Sequence, residues 1–265
     1  MTQQGSEATR APVAVVTGAN RGIGRSIALR FADAGYDVAV TARDPGTLGD
    51  VVADVKLAGR QVLALRCAVA DEGSVEAMGE AVLERFGTVH SVVANAGIAG
   101  PTAPMHEIDL VAWRECLATD VDGVFLTFRA FVPAMIAAGT GSLIAISSMT
   151  GKRPLYGRTP YAAAKMAVIG LVRTLAVELG PHGIRVNAVC PGAVAGPRLE
   201  EVIRNQARSR AISEDEARAA FTATSPLGRF VSADEIARTC TFLSSDAAAS
   251  STGEDLNVNT GVAMF

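Results

Sequence analysis

Seven short runs rich in valine and isoleucine punctuate the chain: Val13–Thr17, Asp37–Thr41, Gln61–Arg66, Ser91–Ala94, Ser142–Ser147, Ile184–Val189 and Asp255–Val258. Their apolar residues are nearly continuous rather than alternating, as expected of strands covered on both faces. Between the runs the spacing becomes helical. Ala233, Ile236, Ala237, Cys240 and Leu243 fall at i, i+3, i+4, i+7 and i+10, and Trp113, Leu117, Val121, Val124, Phe125 and Phe128 form a similar stripe. Alternating strands and helices predict an α/β doubly wound fold, a seven-stranded parallel sheet with helices on both faces and right-handed crossovers. No repeat, low-complexity tract or linker interrupts the pattern, so residues 12–265 read as a single domain behind a disordered tail, 1–11. The one long interruption, Pro191 to Pro226, carries two helical patches, around Leu199–Arg208 and Ser213–Thr222. Insertions at the carboxyl end of a strand are commonly lids or binding loops, which places a lid at about 192–226.

Composition narrows the function classes. With 49% hydrophobic and 19% charged residues among 265, most of the chain is not intrinsically disordered. Lys+Arg (24) do not exceed Asp+Glu (27), so no basic nucleic-acid surface is expected. The most apolar stretch, Phe131 to Ile146, is broken by Pro133, Gly139, Thr140, Gly141 and Ser142, so no membrane span is expected there. The N-terminus, MTQQGSEATRAP, has no apolar h-region and is not a signal peptide. Cys67, Cys116, Cys190 and Cys240 are far apart, without a C-x-x-C, and read as reduced thiols in a cytoplasmic core. His90, His106 and His182 are scattered and predict no metal site; His90 reads as a packed strand-end residue.

The first strand runs into Thr17-Gly18-Ala19-Asn20-Arg21-Gly22-Ile23-Gly24, and a helix follows. Gly18 permits a tight turn, Gly22 lets backbone approach a pyrophosphate, and Gly24 lets helix and strand pack closely. The free N–H groups and dipole of the helix start favour an anion. Further on, Tyr161 and Lys165 fall at i, i+4 on one helix face. A phenol with its ordinary pKa near 10 is a poor acid–base group at neutral pH, and a neighbouring ammonium favours its phenolate. Ser147 and Ser148 end the fifth strand, and Ser148 precedes Tyr161 by 13 positions.

The G-x-x-x-G-x-G spacing, the Ser148–Tyr161–Lys165 spacing, Asn95-Ala96-Gly97, Asn187-Ala188-Val189-Cys190-Pro191-Gly192, Ser225-Pro226-Leu227-Gly228-Arg229 and Thr252-Gly253 together resemble the short-chain dehydrogenase/reductase family. Within it, the single-domain branch that includes 3-oxoacyl-carrier-protein reductases is the nearest likeness. The resemblance covers roughly residues 11 to 260. It implies a Rossmann fold and reversible hydride transfer between a nicotinamide dinucleotide and a carbonyl or secondary alcohol. Tyr161 would be the proton donor or acceptor, Lys165 would tune it and bind the ribose, and Ser148 would orient the carbonyl, leaving strand-end capping to Ser147. Gly18, Asn20, Arg21, Gly22, Ile23, Gly24, Arg43, Val69, Asn95, Ala96, Gly97, Pro191, Gly192 and Val194 would join Tyr161 and Lys165 around the cofactor, with the Val194 backbone on its carboxamide.

NADP(H) is favoured over NAD(H). Ala42 stands where NAD-preferring members carry an acidic residue for the ribose 2′-hydroxyl, and Arg43 and Arg21 are placed to clamp a 2′-phosphate. The lesser alternative is that Arg43 is a solvated strand-end residue and Asp44 takes the hydroxyl.

The chain departs from the family pattern in four places. Asp120 replaces an Asn that supports a water relay to the lysine; beside Lys165 its charge would keep the lysine protonated, weaken its pull on Tyr161 and move the pH optimum. Alternatively Asp120 faces solvent or caps locally. Ala68 replaces an adenine-binding Asp, Gly196 a carboxamide-binding Thr, and His90 an Asp. Lys152, Arg153 and Arg158 lie between Ser148 and Tyr161 with no acid among them. They point either to an anionic small-molecule substrate or to solvated loop charges and subunit contacts. By the same resemblance the helices bearing Trp113 and Tyr161 would build a homotetramer. Two other readings stand beside this one: a catabolic alcohol dehydrogenase using NAD, and a non-catalytic dinucleotide sensor or scaffold on the same fold.

Overall fold

The computed structural model describes residues 11–265, so the tail expected over 1–11 lies outside the described residues apart from Ala11. The strands are β1 (Val13–Val16), β2 (Asp37–Ala42), β3 (Val62–Arg66), β4 (Ser91–Ala94), β5 (Gly141–Ile146), β6 (Ile184–Pro191) and β7 (Asp255–Val258). The longer helices are α1 (Gly22–Asp33), α2 (Gly49–Leu57), α3 (Glu72–Phe86), α4 (Leu110–Leu117), α5 (Gly123–Ala138), the short α6 (Met149–Lys152), α7 (Thr159–Leu179), α8 (Pro197–Arg210), α9 (Glu214–Thr222) and α10 (Ala233–Ser244). All seven strands pair in parallel in the order β3-β2-β1-β4-β5-β6-β7. The order reverses between β1 and β4, which opens a crevice at their carboxyl ends.

Each face of the sheet has its own core. On one, Val82, Phe128, Phe131 and Val172 from α3, α5 and α7 cover the sheet. On the other, Ile27, Phe31, Val51, Ile236 and Leu243 from α1, α2 and α10 do so. The central strands are buried throughout, which explains their continuous apolar runs. β3 and β7 differ because they are the edges: Ala64, Arg66 and Asn257 are exposed there, so coverage on both faces does not extend to them.

Helix ends follow local chemistry. Ser213 and Ser232 form capping boxes with Glu216 and Glu235. Gly87 and Gly139, at φ 77° and 68°, close α3 and α5 in the left-handed conformation that glycine tolerates.

The Trp113 helix is not one regular stripe. Between α4 and α5 a π-helical turn, Ala118–Asp122, adds a residue to the helix. The added residue shifts the facing positions, so Asp120 is buried while Phe125 is 47% exposed. Leu110–Ala138 thus runs as one helix, long and apolar enough by length and composition to cross a membrane, which the broken stretch Phe131–Ile146 did not foreshadow. Val124, Leu126, Phe128, Phe131 and Met135 of this helix are in the sheet's core, while Leu110, Val111, Phe125 and Ile136 are exposed. The segment after β6 holds α8 and α9, packed on each other through Leu199, Ile203, Ala207 and Ala217. An Arg218–Glu200 ion pair also joins them.

Candidate active site

The glycine loop is braced by β4. Thr17 Oγ1 accepts from the amides of Asn95 (3.1 Å) and Ala96 (3.0 Å), and Asn95 Nδ2 donates to the carbonyls of Thr17 (2.9 Å) and Gly18 (3.2 Å). Asn95 therefore holds the loop's shape. A Cβ on Gly24 would sit 2.2 Å from the Gly18 carbonyl oxygen, so close packing of α1 on this turn demands glycine. Gly22 differs: its φ is 55° and a Cβ there meets nothing within 4 Å, which leaves open space beside the start of α1. Arg21 places no side-chain cap on that helix and its first turn holds no acid. Free amides, positive dipole and open space fit a dinucleotide's pyrophosphate.

The other expected cofactor residues border the same crevice. Arg43 follows the end of β2 and, like Arg21, is exposed and in no ion pair among the described residues. Asp44 is committed elsewhere, since its Oδ1 accepts from the Gly46 amide at 2.9 Å and caps a short turn. Val69 is buried against Gly123, where a Cβ would lie 2.8 Å from Val69 Cγ2. Ala68, in place of the family's acid, donates its amide to Ser74 Oγ at 3.0 Å. Pro191 ends β6, and Gly192 donates to the Val258 carbonyl at 2.9 Å. Val194 bridges Val231 through its neighbours, Val231 donating to Ala193 and Ala195 to Val231, so the Val194 amide and carbonyl face the opposite side. Gly196 has φ 143° and starts α8.

Ser148, Tyr161 and Lys165 come from the end of β5 and the first turns of α7. Ser147 Oγ donates to the Lys165 carbonyl (2.7 Å), tying β5 to α7. The cap belongs to Ser148 and not to Ser147: Ser148 Oγ accepts from the Thr150 amide (3.1 Å) at the start of α6. That bond fixes the oxygen and leaves the hydroxyl proton to donate to a substrate oxygen. Lys165 Nζ donates to the Ile146 carbonyl (3.1 Å) and lies 3.1 Å from Asp120 Oδ2. Asp120 Oδ1 accepts from the Ile98 amide at 2.7 Å. Asp120 is thus fully buried inside the site, not solvated.

The three loop cations part company. Lys152 lies 2.5 Å from Asp255 on β7 and donates to Asn257 Oδ1 (3.0 Å), so it locks α6 to the sheet edge and is no free charge at a mouth. Arg153 donates to Thr224 Oγ1 at 3.1 Å. Arg158 is only 3% exposed, and its guanidinium carbon stands 4.7 Å from the centroid of the Tyr161 ring. A second guanidinium, Arg198 of α8, lies 6.0 Å from the same ring and donates to the Gly97 carbonyl (3.3 Å). No spacing in the sequence links Arg198 to Tyr161; only the folding back of α8 joins them.

Burial tunes the neighbours. It holds the Arg158 guanidinium below its usual range and pushes the Cys116 thiol up to about 11, with Asp120 adding to the latter. It also lowers the His90 pKa; His90 Nδ1 accepts from the Val13 amide (3.0 Å), so the residue is the packed, neutral strand-end group expected. No cluster of metal-ligating side chains occurs among the described residues. A cavity of about 680 Å³ lined by Thr102, Glu107, Tyr156, Asn205 and Arg208 opens outside this centre, and none of the catalytic candidates lines it.

Comparison with known proteins decides the family. The sequence profile described as enoyl-(acyl carrier protein) reductase matches residues 18–263. The chain belongs to the short-chain dehydrogenase/reductase family. This short-chain dehydrogenase/reductase is 38% identical over 256 residues to a granaticin polyketide synthase putative ketoacyl reductase of Streptomyces violaceoruber, covering 96% of this chain and 94% of that one. A cis-4-hydroxycyclohexanecarboxylate dehydrogenase of Sinomonas cyclohexanicum is 38% identical over 255 residues, covering 96% and 98%. Among solved structures, an actinorhodin polyketide ketoreductase with NADPH superposes with a TM-score of 0.91 at 35% identity, covering 96% and 98%. An NAD+-bound xylitol dehydrogenase gives 0.92 at 28%, covering 94% and 98%. The protein is therefore an oxidoreductase acting on carbonyl or hydroxyl groups with a nicotinamide dinucleotide, and its neighbours use both forms of that cofactor.

Proposed function

We propose that this oxidoreductase transfers hydride reversibly between NADP(H) and a small carbonyl or secondary alcohol, with Ser148, Tyr161 and Lys165 as its working groups. The carrying observation is their convergence at the carboxyl edge of the sheet, beside an uncapped helix start with open space at Gly22. The bound dinucleotide supplies or takes the hydride. Tyr161 gives or takes the proton at the substrate oxygen, and the Ser148 hydroxyl donates to that oxygen as charge develops on it. Lys165 supplies the positive charge behind Tyr161. Asp120 and the Ile146 carbonyl hold its ammonium in place.

Preference for NADP(H) rests on Arg21 and Arg43, exposed without partners among the described residues, and on Asp44, whose carboxylate is spent on Gly46. The segment 192–226 acts as a lid whose α8 brings Arg198 over the site. The outer faces of α7 and the Trp113 helix expose Met166, Val177, Val111 and Phe125, which supports a homotetramer built through those helices. The test is NADPH oxidation against a panel of ketones and aldehydes, with Tyr161→Phe as control. Turnover lost in the variant supports the assignment. Tight NADPH binding without turnover on any carbonyl would favour a dinucleotide sensor.

A further inference from the structure

Positive charge around Tyr161 exceeds what the protein neutralises. Arg158, Arg198 and Lys165 surround one phenol ring, while the one carboxylate brought among them, Asp120, pairs with Lys165. Arg158 is in no ion pair among the described residues, although it is 3% exposed. Its Nη2 donates to the Ala99 carbonyl at 2.6 Å, but its buried Nε has no acceptor. Buried guanidinium groups are ordinarily paired, and an orphaned donor is costly to keep. An anion arriving with the substrate would supply that partner.

We infer that Arg158 and Arg198 bind a carboxylate on the substrate, so that the enzyme acts on short oxo acids and their hydroxy-acid counterparts. This inference rests on the reading of Tyr161 as the proton donor. The Nε and Nη2 donors of Arg158 lie along one planar edge, the arrangement that a carboxylate matches side-on. Arg158 stacks on the Tyr161 ring itself, its guanidinium carbon 4.7 Å from the centroid, so an anion held there lies beside the proton-donating residue. Arg198 approaches from α8, so the segment after β6 brings a second guanidinium to the same ring. Burial lowers the Arg158 pKa, Tyr161 opposes that effect, and Arg198 adds like-charge repulsion that an anion would relieve. A neutral ketone or an acyl thioester leaves both cations uncompensated.

The experiment pairs each oxo acid with its methyl ester: pyruvate, levulinate and phenylglyoxylate, reduced by the full-length enzyme with NADPH. The free acid is expected to exceed its ester in kcat/KM by at least about tenfold, the order of one charge-assisted hydrogen bond. In Arg198→Gln, whose side chain is exposed and whose loss leaves the core intact, the acid-to-ester ratio falls toward one through KM. Butyrate is expected to inhibit wild type competitively and more strongly than butyramide, and that difference shrinks in both Arg198→Gln and Arg158→Gln. Equal use of acids and esters by wild type, or a ratio that survives in Arg198→Gln, overturns the inference. In that case continued loss of ester reduction in Tyr161→Phe leaves the reaction class standing. Absence of turnover on acids, esters and neutral ketones alike would instead bring down the reaction class itself.

Discussion

Asp120 Oδ2 lies 3.1 Å from Lys165 Nζ, with both side chains shut away from solvent. The contact exists because the π-helical turn rotates Asp120 inward, toward Gly97, whose missing side chain leaves room: a Cβ there would stand 3.1 Å from Asp120 Oδ1.

The pair sets a first prediction. The Asp120 carboxylate offsets the charge of Lys165, whose ammonium stands 5.5 Å from the centroid of the Tyr161 ring. Asp120→Asn removes that negative charge and leaves the ammonium uncompensated, so the pH–rate profile for alcohol oxidation moves toward acid. The variant also loses about 1–3 kcal/mol of stability, because an amide has one acceptor oxygen for the two buried donors, the Ile98 amide and the Lys165 ammonium, that the carboxylate serves with two. Kinetics from pH 6 to 10, and urea unfolding, measure the two effects; an unmoved profile refutes the electrostatic role.

Cofactor choice gives the second. Arg43→Asp is expected to reverse the order of kcat/KM for NADPH and NADH, because it trades a phosphate-binding cation for a carboxylate suited to a ribose hydroxyl. Asp44→Ala leaves the order as it was and costs about 1 kcal/mol, since Asp44 caps the turn at Gly46. A wild-type preference for NADH would contradict the first half, and an order changed by Asp44→Ala the second.

Two glycines of the loop separate folding from binding. Gly24→Ala drives a methyl to 2.2 Å from the Gly18 carbonyl and costs about 3 kcal/mol, roughly 6–10 °C in Tm. Gly22→Ala meets no protein atom within 4 Å and pays only for its positive φ, about 1 kcal/mol. Its methyl projects into the space at the start of α1, so NADPH affinity falls far more than stability does. Thermal melts beside fluorescence titrations distinguish the two variants.

His90 makes stability depend on pH. Its folded pKa lies below the unfolded value because burial disfavours the imidazolium. Below the ordinary histidine pKa of about 6.5 the unfolded chain therefore takes up a proton that the folded one refuses, and stability falls as pH drops through that value. His90→Asn retains an acceptor for the Val13 amide without titrating. Wild type should lose more Tm than this variant between pH 7.5 and 5.5; parallel losses would assign the effect to other groups.

The strand runs, the glycine spacing and the Ser148–Tyr161–Lys165 interval were legible along the chain because each is local or periodic. A strand buried on both faces must be apolar throughout, a phosphate turn needs glycine where backbones meet, and an i, i+4 pair on a helix is adjacent in any context. Those features determined the seven-stranded parallel fold, the dinucleotide crevice and the reaction class. Partnerships between distant segments were decided only by tertiary structure. Lys152, read beside Arg153 and Arg158 as a loop charge without an acid, meets Asp255 more than one hundred residues later. Ser148 takes the cap assigned to Ser147, whose hydroxyl is drawn instead to the Lys165 carbonyl of α7. Asp120 turns inward because one residue of π-helix shifts its register, and Arg198 reaches Tyr161 because α8 folds back over the crevice. Charge acts through space while sequence pattern acts along the chain, so the residues surrounding Tyr161 became visible only once the sheet had gathered them.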